Sequence, residues 1–104
     1  MTVLDECLKI EGFRLDGVAV FVVGGDLDAA AARSLKAAFE RLGPDDHVYV
    51  DCAGVGFIDS SGLRVLHDLA DRNVAAGCPL HLMASTEVRR SIELSGLEHL
   101  FTLD

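Results

Sequence analysis

His47-Val48-Tyr49-Val50-Asp51-Cys52 and Leu80-His81-Leu82-Met83-Ala84 are two short, mainly apolar runs of the kind that form strands buried on both faces. The segment between them keeps another rhythm. From Ser60 to Gly77, Leu63, Leu66, Ala70 and Val74 recur at helical spacing, while Arg64, Asp68, Asp71 and Arg72 fall on the opposite side. Strand, helix and strand in that order make a βαβ unit, whose crossover is expected to be right-handed. Toward the amino end, Leu8 to Leu15 and Val18 to Val23 read as two strands joined by Asp16-Gly17. That dipeptide tolerates the positive φ angles of a tight turn, so the strands pair antiparallel. After Gly24-Gly25-Asp26-Leu27, Asp28 caps a helix with the apolar stripe Ala31, Leu35, Ala38, Phe39 and Leu42, ended by Gly43-Pro44. Toward the carboxyl end, a helix starts after Ser85 or Thr86, turns Val88, Ile92 and Ser95 inward and stops at Gly96. Leu97 to Leu103 then forms a last short element covering the core. The sequence predicts an α/β fold.

The 104 residues suit one hydrophobic core, and a single domain over residues 1–104 is expected. Half of the residues are hydrophobic and a quarter charged, which argues against disorder. Seventeen acidic and nine basic side chains leave a net charge of −8, which repels phosphate backbones and anionic lipid headgroups alike. Nucleic acid is therefore excluded as a partner, as is direct membrane insertion, since no apolar run approaches the roughly 20 residues that span a bilayer. The opening Met1-Thr2-Val3-Leu4-Asp5-Glu6 has neither a basic start nor an apolar stretch, which points to a cytoplasmic protein. Three cysteines in such a chain fit a reducing compartment. Cys52 ends one strand and Cys78 precedes the next parallel one, so they should lie roughly 10 Å or more apart, beyond the ~7 Å a disulfide spans. Cys7 has no evident mate.

The segment Ala53 to Gly62 joins a strand to a helix, and in parallel sheets sites form at the carboxyl ends of strands. A phosphate cradle at the helix start is the first idea. Gly54 and Gly56 lack a third glycine three residues on, and no Gly-Lys-Ser/Thr ending occurs, so neither nucleotide fingerprint is met. A nucleophilic Ser60 or Ser61, activated by His47, His67, His81 or His99, is the second. The Gly-x-Ser-x-Gly elbow is absent, and spacing alone sets no histidine beside either hydroxyl. His67 falls between Leu63 and Ala70, where a histidine is more often a packing residue than a base. The histidines and cysteines are scattered without ligand spacing, so no metal site is expected. The plainest reading of Asp59-Ser60-Ser61-Gly62 is a helix cap, a role worth about 1 kcal/mol.

Phe57-Ile58-Asp59-Ser60-Ser61-Gly62-Leu63, followed by Val65-Leu66, resembles the signature of the STAS family, the anti-sigma factor antagonists of bacterial partner-switching systems. Gly25-Asp26-Leu27-Asp28 resembles the family's Gly-Glu-Leu-Asp, with Asp26 in place of the more usual Glu. Val50-Asp51-Cys52 falls where the family has a strand ending in a Leu-Asp-Leu-like run, and Ile92-Glu93-Leu94-Ser95-Gly96-Leu97 with Phe101 resembles its closing helix. The resemblance implies a small mixed sheet with helices packed mainly on one face, and protein binding controlled by phosphorylation.

By the same resemblance Ser60 is the phosphorylated residue and Ser61 its unmodified neighbour. Asp28 lies beside the modified hydroxyl and contacts the partner, Asp26 and Asp59 add acidic surface, and Ser61, Gly62 and Arg64 complete the expected contact set. The implied partner is an anti-sigma factor with serine kinase activity, with a serine phosphatase as a second candidate. ATP and Mg²⁺ belong to that kinase, so this chain needs no cofactor and catalyses nothing. Arg64 stands where the family often has a small residue, one turn beyond Ser60, where it can pair with a phosphate or crowd a partner. The alternative keeps the fold and changes the role, because STAS domains also serve membrane transporters, including lipid-transport ATPases, and other signalling complexes. A serine hydrolase, from another class, would turn over a generic ester and lose that turnover in Ser60→Ala.

Overall fold

Asp16 (φ 51°) and Gly17 (φ 80°) both take left-handed backbone, as the sequence predicts for this turn. They fold Leu8–Leu15 (β2) back antiparallel onto Val18–Leu27 (β3), from Leu15 opposite Val18 to Leu8 opposite Gly25. The computed structural model describes residues 2–4, 8–43 and 46–103. Thr2–Leu4 (β1) pairs antiparallel with β2. His47–Ile58 (β4), Leu80–Ala84 (β5) and Phe101–Leu103 (β6) extend the sheet in parallel beyond β3, so the strand order is the sequence order. The crossovers are Ala29–Phe39 (α1), Ser60–Ala75 (α2) and Thr86–Leu94 (α3), with a 3-10 turn over Glu98–Leu100 leading into β6.

One face of the sheet carries the core. Ala19, Phe21 and Val23 of β3, Val48, Val50 and Cys52 of β4, and Leu80 and Leu82 of β5 are buried under Leu35 and Phe39, Leu66 and Ala70, and Val88 and Ile92 from the three helices. Phe21 and Phe39 meet edge-to-face with ring centroids 5.1 Å apart. On the other face Phe13, Leu15 and Met83 are exposed. This is the mixed sheet with helices on one side that the sequence resemblance implies.

The two central strands are longer than their apolar runs. β3 continues through Gly24-Gly25-Asp26-Leu27 and β4 through Ala53 to Ile58, with register shifts between Val22 and Gly24 and between Gly25 and Asp26. Glycine supplies no side-chain alternation to read, and in strands it marks bulges and close backbone approaches. Gly24 and Gly54 meet in that way, since a Cβ on Gly54 would lie 3.5 Å from the Gly24 Cα.

Three helix details also differ from expectation. α1 stops at Phe39, capped by Glu40, and Leu42 packs beyond its end; Pro44 lies outside the described residues. The inner stripe of α2 is rotated, so Asn73 is buried and Val74 is 43% exposed. Ser95 is the exposed C-cap of α3 instead of an inward residue, while Gly77 and Gly96, at φ 78° and 69°, follow the ends of α2 and α3 in left-handed conformation. Leu97 to Leu103 resolves into the 3-10 turn and the parallel strand β6.

Cys52 lies opposite Ala84 at one end of β5 and Cys78 precedes Leu80 at the other, so at least about 13 Å of strand separates the two, and neither is in a disulfide. Cys7 lies outside the described residues. Burial, helped by the charge of Asp51, pushes the Cys52 thiol up from 9.0 to about 12. The folded state holds this proton more tightly than the unfolded chain does. Its contribution to stability is therefore complete below about pH 9.0 and declines as the pH rises toward about 12. At pH 8, alkylation followed by peptide mapping should find half-exposed Cys78 modified and Cys52 protected until the chain unfolds. Labelling of Cys52 in the folded protein as fast as Cys78 would contradict its burial.

Candidate functional site

Leu27 pairs with Ile58 across β3 and β4, so Asp28 and Asp59 leave neighbouring parallel strands side by side at the same edge of the sheet. Each takes extended backbone and caps a helix. The Asp28 carboxylate accepts the Ala31 N–H at 3.0 Å. The Asp59 carboxylate accepts from Ser61 N–H at 2.9 Å and Gly62 N–H at 3.1 Å. Asp59 N–H in turn donates to the Leu27 carbonyl at 3.3 Å, tying the two strand ends together. The amino termini of α1 and α2, with their partial positive charge, thus open on one edge.

Ser60 is the first residue of α2 and is exposed; Ser61 is half-buried, with its N–H taken by Asp59. Gly62, expected among the contact residues, is buried. A Cβ there would run into the Leu27 carbonyl oxygen and come within 2.7 Å of Leu27 Cγ, so its part is to let α2 seat against β3. Asp59, expected as acidic surface, is half-buried and spends its carboxylate on the cap, a role worth about 1 kcal/mol. Asp26 is half-buried on β3, opposite Phe57 of β4.

Ser60, Leu63, Arg64, His67 and Asp68 of α2 line an open groove of about 380 Å³ together with Ser95 and Leu97. Arg64 Nε lies 4.0 Å from Asp68 Oδ2, and His67 Nδ1 lies 3.2 Å from Asp68 Oδ1. His67 is half-buried on α2 and lines this groove. His47 starts β4 at the end of the strand remote from Ser60, His81 lies on β5, and His99 in the 3-10 turn. Two apolar side chains beside this region went unassigned in the sequence: Phe57, half exposed next to Asp26, and Leu94, 80% exposed at the end of α3. Phe57 was hidden because an apolar residue before a helix reads as core. Leu97 joins the groove only through the placement of the turn after α3. Among the described residues no group of three or more histidine, cysteine or acidic side chains is placed to hold a metal. No helix among them is long and apolar enough to cross a membrane.

The chemistry on offer is an exposed hydroxyl at a helix amino terminus, ringed by carboxylates, one guanidinium and apolar surface. A family model described as Mlab, STAS domain, matches residues 12–103. The chain belongs to the STAS family. A relative of this STAS chain, the anti-sigma-F factor antagonist RsfB of Mycobacterium tuberculosis, is 31% identical over 91 residues, spanning 85% of this chain and 74% of the relative. The crystal structure of an anti-sigma factor antagonist from Mycobacterium paratuberculosis is similar with a TM-score of 0.74 at 26% identity, covering 92% of this chain and 84% of that one. The anti-sigma factor antagonist SpoIIAA, in its unphosphorylated form, shares the fold at 18% identity and a TM-score of 0.70, over 91% of this chain and 87% of its own. The STAS fold therefore carries Asp59-Ser60-Ser61-Gly62 at the junction of its central strand and second helix.

Proposed function

We propose that this STAS domain is an anti-sigma factor antagonist whose binding to a kinase-type anti-sigma factor is switched by phosphorylation of Ser60. Unmodified, the edge formed by Asp26, Asp28, Ser60, Ser61 and Arg64 engages the partner, which then releases its sigma factor to RNA polymerase. The observation that carries this reading is the exposed Ser60 hydroxyl, held on the first turn of α2 by the Asp59 cap and beside the Asp28 cap of α1. The name of the M. tuberculosis relative supports it.

In the switching step the Ser60 Oγ takes the γ-phosphoryl group of ATP held by the partner. The new O–P bond replaces the bond to the β-phosphate, ADP departs, and the hydroxyl proton passes to the kinase. Asp59 and Gly62 act through position: the first fixes the helix start, the second lets it approach β3. A serine phosphatase reverses the mark by hydrolysis. The chain supplies the acceptor and the surface, in the cytoplasm, and the catalytic groups, ATP and Mg²⁺ belong to its partners.

Ser60, and not half-buried Ser61, is the expected site of modification when the kinase and Mg-ATP are supplied, as phosphopeptide mapping will show; phosphate on Ser61 in a Ser60-intact protein overturns the assignment. Affinity capture from native cytosol should recover a kinase-type anti-sigma factor with the unmodified protein and lose it with Ser60→Asp. Recovery of a transporter ATPase by both forms would move the chain to a transport role instead.

A further inference from the structure

Arg64 lies one helical turn beyond Ser60 on the same groove. Its guanidinium is held only loosely: the side chain is 82% exposed, and Asp68, at 4.0 Å, is itself 64% exposed and also contacted by His67. The order of charges matters as well. A helical pair at this spacing is stronger when the anion precedes the cation, because that order agrees with the helix dipole. Arg64 to Asp68 runs the unfavourable way, whereas a phosphate on Ser60 followed by Arg64 runs the favourable way. A phosphate also brings nearly two charges and three acceptor oxygens against the single charge of a carboxylate.

We propose that Arg64 is the intrachain partner of the phosphate on Ser60, exchanging its contact with Asp68 for the phosphate once the serine is modified. This rests on the reading of Ser60 as the phosphorylated residue, and it adds a regulatory role for Arg64. The guanidinium lies over part of the new charge, so the modified domain presents a partly neutralised phosphate to the partner and the switch is softened. Asp68 remains with His67. The remaining groove residues, Leu63, Ser95 and Leu97, carry no charge, and the neighbouring carboxylates of Asp59 and Asp28 are engaged with helix N–H groups. Arg64 is thus the groove cation best placed to change partners.

The test uses the full chain with phosphoserine installed at position 60 during translation, so it does not depend on any kinase. Phosphorus NMR titration follows the second ionisation of the phosphate, which lies near pH 6 when free. The helix terminus and the carboxylates are the same in every variant, so differences isolate Arg64. In Arg64→Gln the phosphate should ionise about 0.5 unit higher than in the parent protein, and Arg64→Lys should restore most of the difference. Equal midpoints in the parent and Arg64→Gln, or a lysine variant that behaves like the glutamine one, overturn the proposal. Neither result bears on whether the kinase chooses Ser60, which the mapping experiment decides.

Discussion

Phosphorylation of Ser60 is expected to weaken binding of the kinase-type anti-sigma factor by about 30-fold or more while leaving the domain folded. For the isolated chain the new group is benign. It sits on the first residue of α2, an exposed position, where the helix dipole and free N–H groups favour an anion by about 0.3 to 1 kcal/mol. Melting curves of the two forms should accordingly agree within about 5 °C. For the complex the same group is costly. It adds roughly two negative charges to an edge that already carries Asp26, Asp28 and Asp59, and an interface closing over it must strip their water or leave them unpaired. A mispaired buried interface charge costs about 2 to 5 kcal/mol, and each 1.4 kcal/mol is tenfold in affinity. Titration calorimetry of the partner against both forms measures the difference, and Arg64→Gln should deepen it by exposing the full phosphate charge. Equal affinities would reject exclusion by charge, and a collapse of the melting point on phosphorylation would make unfolding the switch.

The elements that position this site were legible where side-chain chemistry is local. Asp28, Asp59 and Ser85 each announce a helix start because a short acceptor side chain satisfies N–H groups two or three residues ahead, and all three do so. Asp16-Gly17 announces its turn for an equally local reason. What stayed hidden depends on contacts between distant segments. The carboxyl halves of β3 and β4 are strands because they pair with each other across bulges, and no alternation within Gly24-Gly25 or Gly54-Val55-Gly56 could reveal that partnership. The same pairing brings Asp28 beside Asp59. The rotation of α2 that buries Asn73 in place of Val74 is likewise set by packing on the sheet, which a stripe of similar apolar residues leaves underdetermined. Gly62 shows the limit from the other side: the motif marks it, yet its buried place against Leu27 only the fold discloses.

Gly62→Ala should destabilise the domain by about 3 kcal/mol, lowering its melting temperature by about 12 °C or more. The sign alone is informative. In an open helical position alanine is better than glycine by roughly 0.5 to 1 kcal/mol, so a gain is the outcome wherever there is room. At Gly62 there is none: the added methyl meets the Leu27 carbonyl oxygen and lies 2.7 Å from Leu27 Cγ and 3.2 Å from Ile58 Cγ1. The Leu27 carbonyl is main chain, fixed by its bond from Asp59 N–H and by the pairing of Leu27 with Ile58, so it cannot turn aside as a flexible side chain would. Relief must come from the first turn of α2 lifting off β3. That movement strains the Asp59 cap and carries Ser60 away from Asp28, so kinase modification and partner binding should fall along with stability. Gly56→Ala is the control, because nothing lies within 4 Å of a Cβ there. Its stability should change by no more than about 0.5 kcal/mol. Urea unfolding of both variants decides the matter, and a Gly62→Ala protein as stable as the parent would show that α2 is not seated on β3 through this glycine.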